Sequence, residues 1–92
     1  MAKLLLHIYG LIPADFIDVE LEFEGPVNLR RLEEEIIKRY GNKIEEQYIS
    51  EDGLLNHRFV ITGDKYGKKI DYQLPDLTPI EEIWFAVPLA GG

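Results

Sequence analysis

A chain of 92 residues with 46% hydrophobic content suits one domain with a single core, large enough to fold without metals or disulfides. Its 17 acidic and 10 basic residues give a formal charge of −7, which argues against nucleic acid and favours partners with basic docking surfaces. It has no cysteine, hence no disulfide framework, thiolate metal site or thiol nucleophile, as suits a reducing cytoplasm; no apolar run nears the ~20 residues of a membrane span.

The start, Met1 to His7, has too short an apolar run and no small-residue cleavage site for a signal peptide. Lys3 to Tyr9 reads as a strand with Leu4, Leu6 and Ile8 on one side and Lys3, Leu5, His7 and Tyr9 on the other, broken by Gly10 and Pro13. Ile17 to Glu24 alternates as a second strand, with four carboxylates outward. Pairing the two as a hairpin sets Lys3 and His7 among those acids, so His7 is expected to be a surface charge partner. His57 has no partner visible in the sequence.

Gly25-Pro26 turns the chain and Asn28 caps a helix whose apolar positions are Leu29, Leu32, Ile36, Ile37 and Tyr40, with Gly41 as the stop. Glu34–Lys38 and Glu35–Arg39 are the expected supporting pairs, whereas folding alone gives no reason for Arg30 and Arg31 at the wrong end of the dipole. Glu33-Glu34-Glu35 reads as a solvated face rather than a carboxylate pair for acid–base work. Ile44 to Ile49 fits a short helix or an extended connector. Arg58 to Thr62 and Ile70 to Leu74 read as strands, and Ile83 to Val87 as an apolar final strand ended by Pro88. Pairing of the final strand with the first would put it at the sheet centre. The expected fold is α+β, a mixed sheet of about four or five strands over one main helix.

Beyond Pro88 come Leu89, Ala90, Gly91 and Gly92. Four residues reach roughly 13 Å, and glycines without a Cβ pass through a narrow channel in any backbone conformation it imposes. The expected division is a domain over 1–88 and a flexible tail over 89–92. No phosphate-cradling glycine motif or metal-ligand cluster is visible.

Four stretches carry a resemblance: Glu24-Gly25-Pro26 ahead of the helix, Glu51-Asp52-Gly53-Leu54, Phe59-Val60-Ile61-Thr62-Gly63, and Phe85 to Gly92. Together the chain resembles the ubiquitin-like β-grasp sulfur carriers, in particular the small subunit of molybdopterin synthase. Where that family has an Asp-Gly-Asp-like turn before its final strand, this chain has Thr78-Pro79-Ile80-Glu81-Glu82. The resemblance implies that an activating enzyme adenylates the Gly92 carboxylate with ATP and that a sulfur donor converts it to a thiocarboxylate, for molybdenum or tungsten cofactor synthesis or a related pathway. It implies as partners that enzyme and a pterin synthase large subunit or other sulfur acceptor, with no nucleic acid and no membrane. Gly91 would give clearance, with Pro88, Leu89 and Ala90 in the channel. The chain would be a carrier rather than an enzyme, with no bound cofactor.

Two other readings stay open: a modifier joined through Gly92 to lysines of other proteins, and a binding module with an inert tail. Alternation places Leu5, Val60, Trp84 and Ala86 on the outward face of the sheet, the expected partner surface. The competing expectation for Trp84 is a core position under the Ile44–Ile49 segment.

Overall fold

A computed structural model describes residues 2–87. It contains β1 (Ala2–Ile12), β2 (Asp15–Phe23), α1 (Leu29–Tyr40), β3 (Ile61–Asp64) and β4 (Glu82–Ala86). The strands form one mixed sheet in the order β2-β1-β4-β3. β1 and β2 are antiparallel, β1 and β4 parallel, and β3 and β4 antiparallel.

Alternation dictates the hairpin. Leu4, Leu6 and Ile8 of β1 and Leu21 and Phe23 of β2 are buried on the inner face, while Asp18, Glu20 and Glu22 are exposed. β1 runs past Gly10 rather than stopping there, and the register slips between Tyr9 and Ile12. Gly10 has φ +90, and a Cβ there would lie 3.4 Å from the Val87 side chain, so both backbone and space favour glycine.

The Asn28 side chain accepts from the Arg31 N–H at 2.9 Å, closing the first turn of α1. Arg31 has a local role: Nη1 donates to the carbonyls of Glu24 and Pro26 at 2.9 and 2.8 Å, and the guanidinium lies 5.3 Å from the Phe23 ring centroid. It ties the turn before the helix to the helix itself, which outweighs its poor position on the dipole. Glu35 pairs with Arg39 as expected, whereas Glu34 meets Arg30 at 3.9 Å.

The inner face of the sheet supplies Leu4, Leu6, Ile8, Ile83 and Phe85 to a core shared with Leu29, Leu32 and Ile36 of α1. Each such side chain contributes about 1.5–3 kcal/mol when fully buried, so this layer is the main source of stability. Ile44 and Leu55 join the core, and Glu46–Tyr48 forms a single 3₁₀ turn.

Three expectations need correction. The strand expected over Arg58 to Thr62 begins only at Ile61, because Phe59 and Val60 both donate to the Asn56 carbonyl and are held in a turn. β3 therefore enters with Ile61 opposite Ala86 and Gly63 opposite Trp84, so Ile61 points outward and Val60, 3% exposed, joins the core. Val60 is not on the outward face. Ile70 to Leu74 is not a strand: Ile70 donates to Thr62 O, but the Asp71 carboxylate then accepts from the Gln73 N–H and turns the chain.

Candidate functional site: the outward face of the sheet

β1, β2 and β4 place His7, Asp18 and Trp84 side by side, since His7 is registered with Asp18 on one flank and Trp84 on the other. His7 Nδ1 lies 2.5 Å from Asp18 Oδ1, and Nε2 lies 2.8 Å from Glu82 Oε1. Both ring nitrogens thus lie within hydrogen-bond reach of a carboxylate. The Trp84 ring stacks on the imidazole with centroids 3.9 Å apart and planes at 23°. His7 meets the acids as expected, but it is 8% exposed rather than a free surface group.

Tyr9 extends the patch. Its ring stands edge-on to Trp84 at 5.2 Å and to Phe16 at 5.0 Å, and its hydroxyl donates to Asp18 at 2.7 Å. These hydrogen bonds from His7 and Tyr9 hold the Asp18 carboxyl below the usual carboxylate range, and the bond to Asp18 raises the Tyr9 phenol. Around this cluster Leu5, Phe16 and Ile61 are exposed, Phe16 by 68% and Ile61 by 52%. An open depression of about 350 Å³ adjoins it, lined by Ile61, Gly63, Lys65, Trp84 and Ala86 among others.

The outward face thus brings together Leu5, Trp84 and Ala86 as expected, with Ile61 where Val60 was expected and with Tyr9 and Phe16 added. Trp84 is half-buried, stacked on His7 on the face opposite the core, while the Ile44–Ile49 segment packs against that core. A stacked tryptophan ringed by exposed apolar groups has the character of an interface anchor. Pro88, Leu89, Ala90, Gly91 and Gly92, expected to form the reacting tail, lie outside the described residues.

A second cluster surrounds Glu33, which is fully buried. Oε1 accepts from the Leu55 N–H at 3.2 Å and the Tyr72 hydroxyl at 2.6 Å, while Oε2 lies 2.6 Å from His57 Nε2. The bond to Glu33 raises His57 above the ordinary histidine value, more than burial lowers it; Tyr72 is raised by burial and by the same carboxylate. Glu33 is therefore not on a solvated face, a correction to the reading of Glu33-Glu34-Glu35. The signal was present: Glu33 stands four residues after Leu29 and three before Ile36, on the apolar stripe. Nearby, a depression of about 270 Å³ is lined by His57, Val60, Ile61, Thr62, Lys69 and Ile70, with the Thr62 hydroxyl buried and without a hydrogen-bond partner among the described residues.

Neither cluster is arranged as a metal centre: among the described residues no group of three or more His, Cys, Asp or Glu side chains could hold an ion. No family model, curated protein or solved structure matches the chain. No helix among the described residues is long and apolar enough to cross a membrane. What the outward face offers chemically is an apolar platform with acidic flanks.

Proposed function

We propose that the chain is a β-grasp sulfur carrier that works in the cytoplasm and docks through the outward face of its sheet. The observation that carries this reading is the parallel pairing of β4 with β1 at the sheet centre, in a hairpin–helix–strand order compatible with a β-grasp. The Phe85 to Gly92 stretch and the Trp84 platform lend further support.

In this reading the partner enzyme binds ATP, and the Gly92 carboxylate displaces pyrophosphate to give an acyl adenylate. Sulfur delivered at the sulfide level, as hydrosulfide, then attacks the acyl carbon, the bond to AMP breaks, and a thiocarboxylate is left. Activation is needed because a carboxylate ionised at neutral pH resists nucleophilic attack. The chain contributes the carboxylate, the clearance of Gly91 and the docking platform, while its partners supply acid–base chemistry and sulfur. The reading requires Gly92 to bear the free carboxylate.

Intact-mass measurement after incubation with a competent activating enzyme, ATP and a sulfur source should show one oxygen replaced by sulfur. Removing Gly91 and Gly92 should abolish ATP–pyrophosphate exchange, because the carboxylate recedes by roughly 7 Å, and should leave the melting temperature nearly unchanged. An unchanged mass, or exchange that survives the deletion, refutes the proposal.

A further inference from the structure

The hydrogen-bond directions in β1 determine which backbone groups of β2 face away from the sheet. Leu5 N–H donates to Glu81 O, and Tyr9 O accepts from Val87 N–H, so Leu5, His7 and Tyr9 turn their backbone groups toward β4. Leu4, Leu6 and Ile8 then turn theirs toward β2, where they are registered with Leu21, Val19 and Ile17. It follows that Asp18, Glu20 and Glu22 direct their N–H and C=O groups to the open edge of the sheet. Among the described residues no backbone hydrogen bond reaches that edge.

Open edges are usually blunted by lysine, proline, a bulge or shortness. β2 has nine residues and contains neither lysine nor proline, and the register slip lies at its Asp15 end, away from Asp18–Glu22. The residues with outward-directed backbone groups are also those whose carboxylates stand on the outer face. A strand added there would set every second residue opposite Asp18, Glu20 or Glu22, with paired Cα atoms about 5.5 Å apart and side chains on the same outer face, repeating roughly every 6.8 Å. At the positions between, its side chains would meet Ile17 and Val19, which are only half-buried.

We propose that the β2 edge receives an extended segment of a partner protein with lysine or arginine at alternate positions and apolar residues between them. Main-chain bonds to Asp18, Glu20 and Glu22 supply affinity, and the carboxylates of Glu20 and Glu22 select the basic residues, Asp18 being already held by His7 and Tyr9. A second copy of this chain is disfavoured as occupant: antiparallel pairing of β2 with itself opposes acid to acid between two molecules of charge −7. Glu22 makes no ion pair among the described residues, and Glu20 has only the distant, exposed Lys3 at 3.8 Å. This inference concerns the open edge of β2, which borders the Trp84 platform at Asp18, and stands or falls apart from the chemistry of the tail.

The test uses the full chain and a short end-blocked peptide of alternating lysine and valine, titrated at low salt while backbone amide resonances are followed. Two further peptides carry N-methyl groups, one on the amides that would donate to β2 and one on the alternate set. The proposal expects shifts centred on Asp18, Glu20 and Glu22, a loss of about tenfold or more in affinity for the first methylated peptide, and little loss for the second. The double variant E20Q/E22Q, which removes the charges without setting a lysine opposite Lys3, should weaken binding of the parent peptide several-fold while melting close to the parent. Equal affinity for both methylated peptides would mean that only diffuse charge attracts them and would overturn the proposal. So would the absence of binding, which would leave the carboxylates as a guard against edge pairing.

Discussion

Glu33 and His57, 24 positions apart in the chain, meet at 2.6 Å with the carboxylate wholly buried and the imidazole partly open to solvent. This contact fastens the middle of α1 to the segment leading into β3. The carboxylate also holds the Leu55 N–H and the Tyr72 hydroxyl, so one side chain satisfies donors from two separate stretches of loop.

Replacing Glu33 with alanine should therefore destabilise the domain by about 2–3 kcal/mol, through a cavity beside the core and a buried Leu55 N–H left without a partner. His57 and Tyr72 can turn to water, which keeps the loss below that of a fully buried pair. Denaturant unfolding of Glu33→Ala checks this. A loss comparable to that of an exposed change such as Glu34→Ala would mean that the cluster contributes little.

The same pair predicts a pH dependence. Hydrogen bonding to Glu33 raises the His57 value in the folded state above the ordinary 6.5, so folded protein binds this proton more tightly than unfolded protein does. The stabilisation is fully present below the unfolded value and is lost as pH rises through the raised folded value. Between about pH 6 and pH 8 the melting temperature should fall in the parent, and it should fall less in His57→Gln. Parallel profiles for the two proteins would contradict the assignment.

Glu81 adopts φ +71, the left-handed region where a side chain crowds its own backbone, yet its carbonyl accepts from Leu5 and so starts the parallel ladder. Glycine takes that conformation without the clash. Glu81→Gly should raise stability by about 1 kcal/mol, the relief of strain exceeding the extra freedom gained by the unfolded chain. A melt that drops on substitution would show that the glutamate side chain contributes more than its conformation costs.

Trp84→Ala should weaken binding to the activating enzyme proposed above by about 2 kcal/mol or more, with little change in melting temperature. Calorimetric titration beside a thermal melt separates the outcomes. If binding stays intact while the melt falls sharply, the stack on His7 serves the fold and not the interface.

Much of the hairpin and the helix was legible because their patterns are local. Leu4, Leu6 and Ile8 alternate, Asn28 precedes a helical apolar stripe, and the helix ends at Gly41. Val60 shows the limit of such patterns, since alternation fixes which residues share a side, not which side is buried; the turn at Asn56 and the register with Ala86 decide that. Ile70 to Leu74 failed for a related reason, since the Asx turn at Asp71 outcompetes a short apolar pattern. Leu5, Trp84 and Ala86 share the outward face because their alternation is as local as that of the hairpin. His57 and Glu33 were missed because their partnership exists only once a distant loop has come to lie on α1.

The sheet joins the beginning of the chain to its far end, with Leu5 beside Glu82 and Tyr9 beside Ala86. During synthesis the β1–β2 hairpin and α1 emerge early, but β1 stays without its central neighbour until β4 has left the ribosome. Closing so long a loop is slow, and the half-finished sheet exposes apolar strand surface meanwhile. Folding therefore completes late, when nearly the whole domain has been made. A nascent chain stalled before Glu82 should remain protease-sensitive and should attract chaperones that bind unpaired strands.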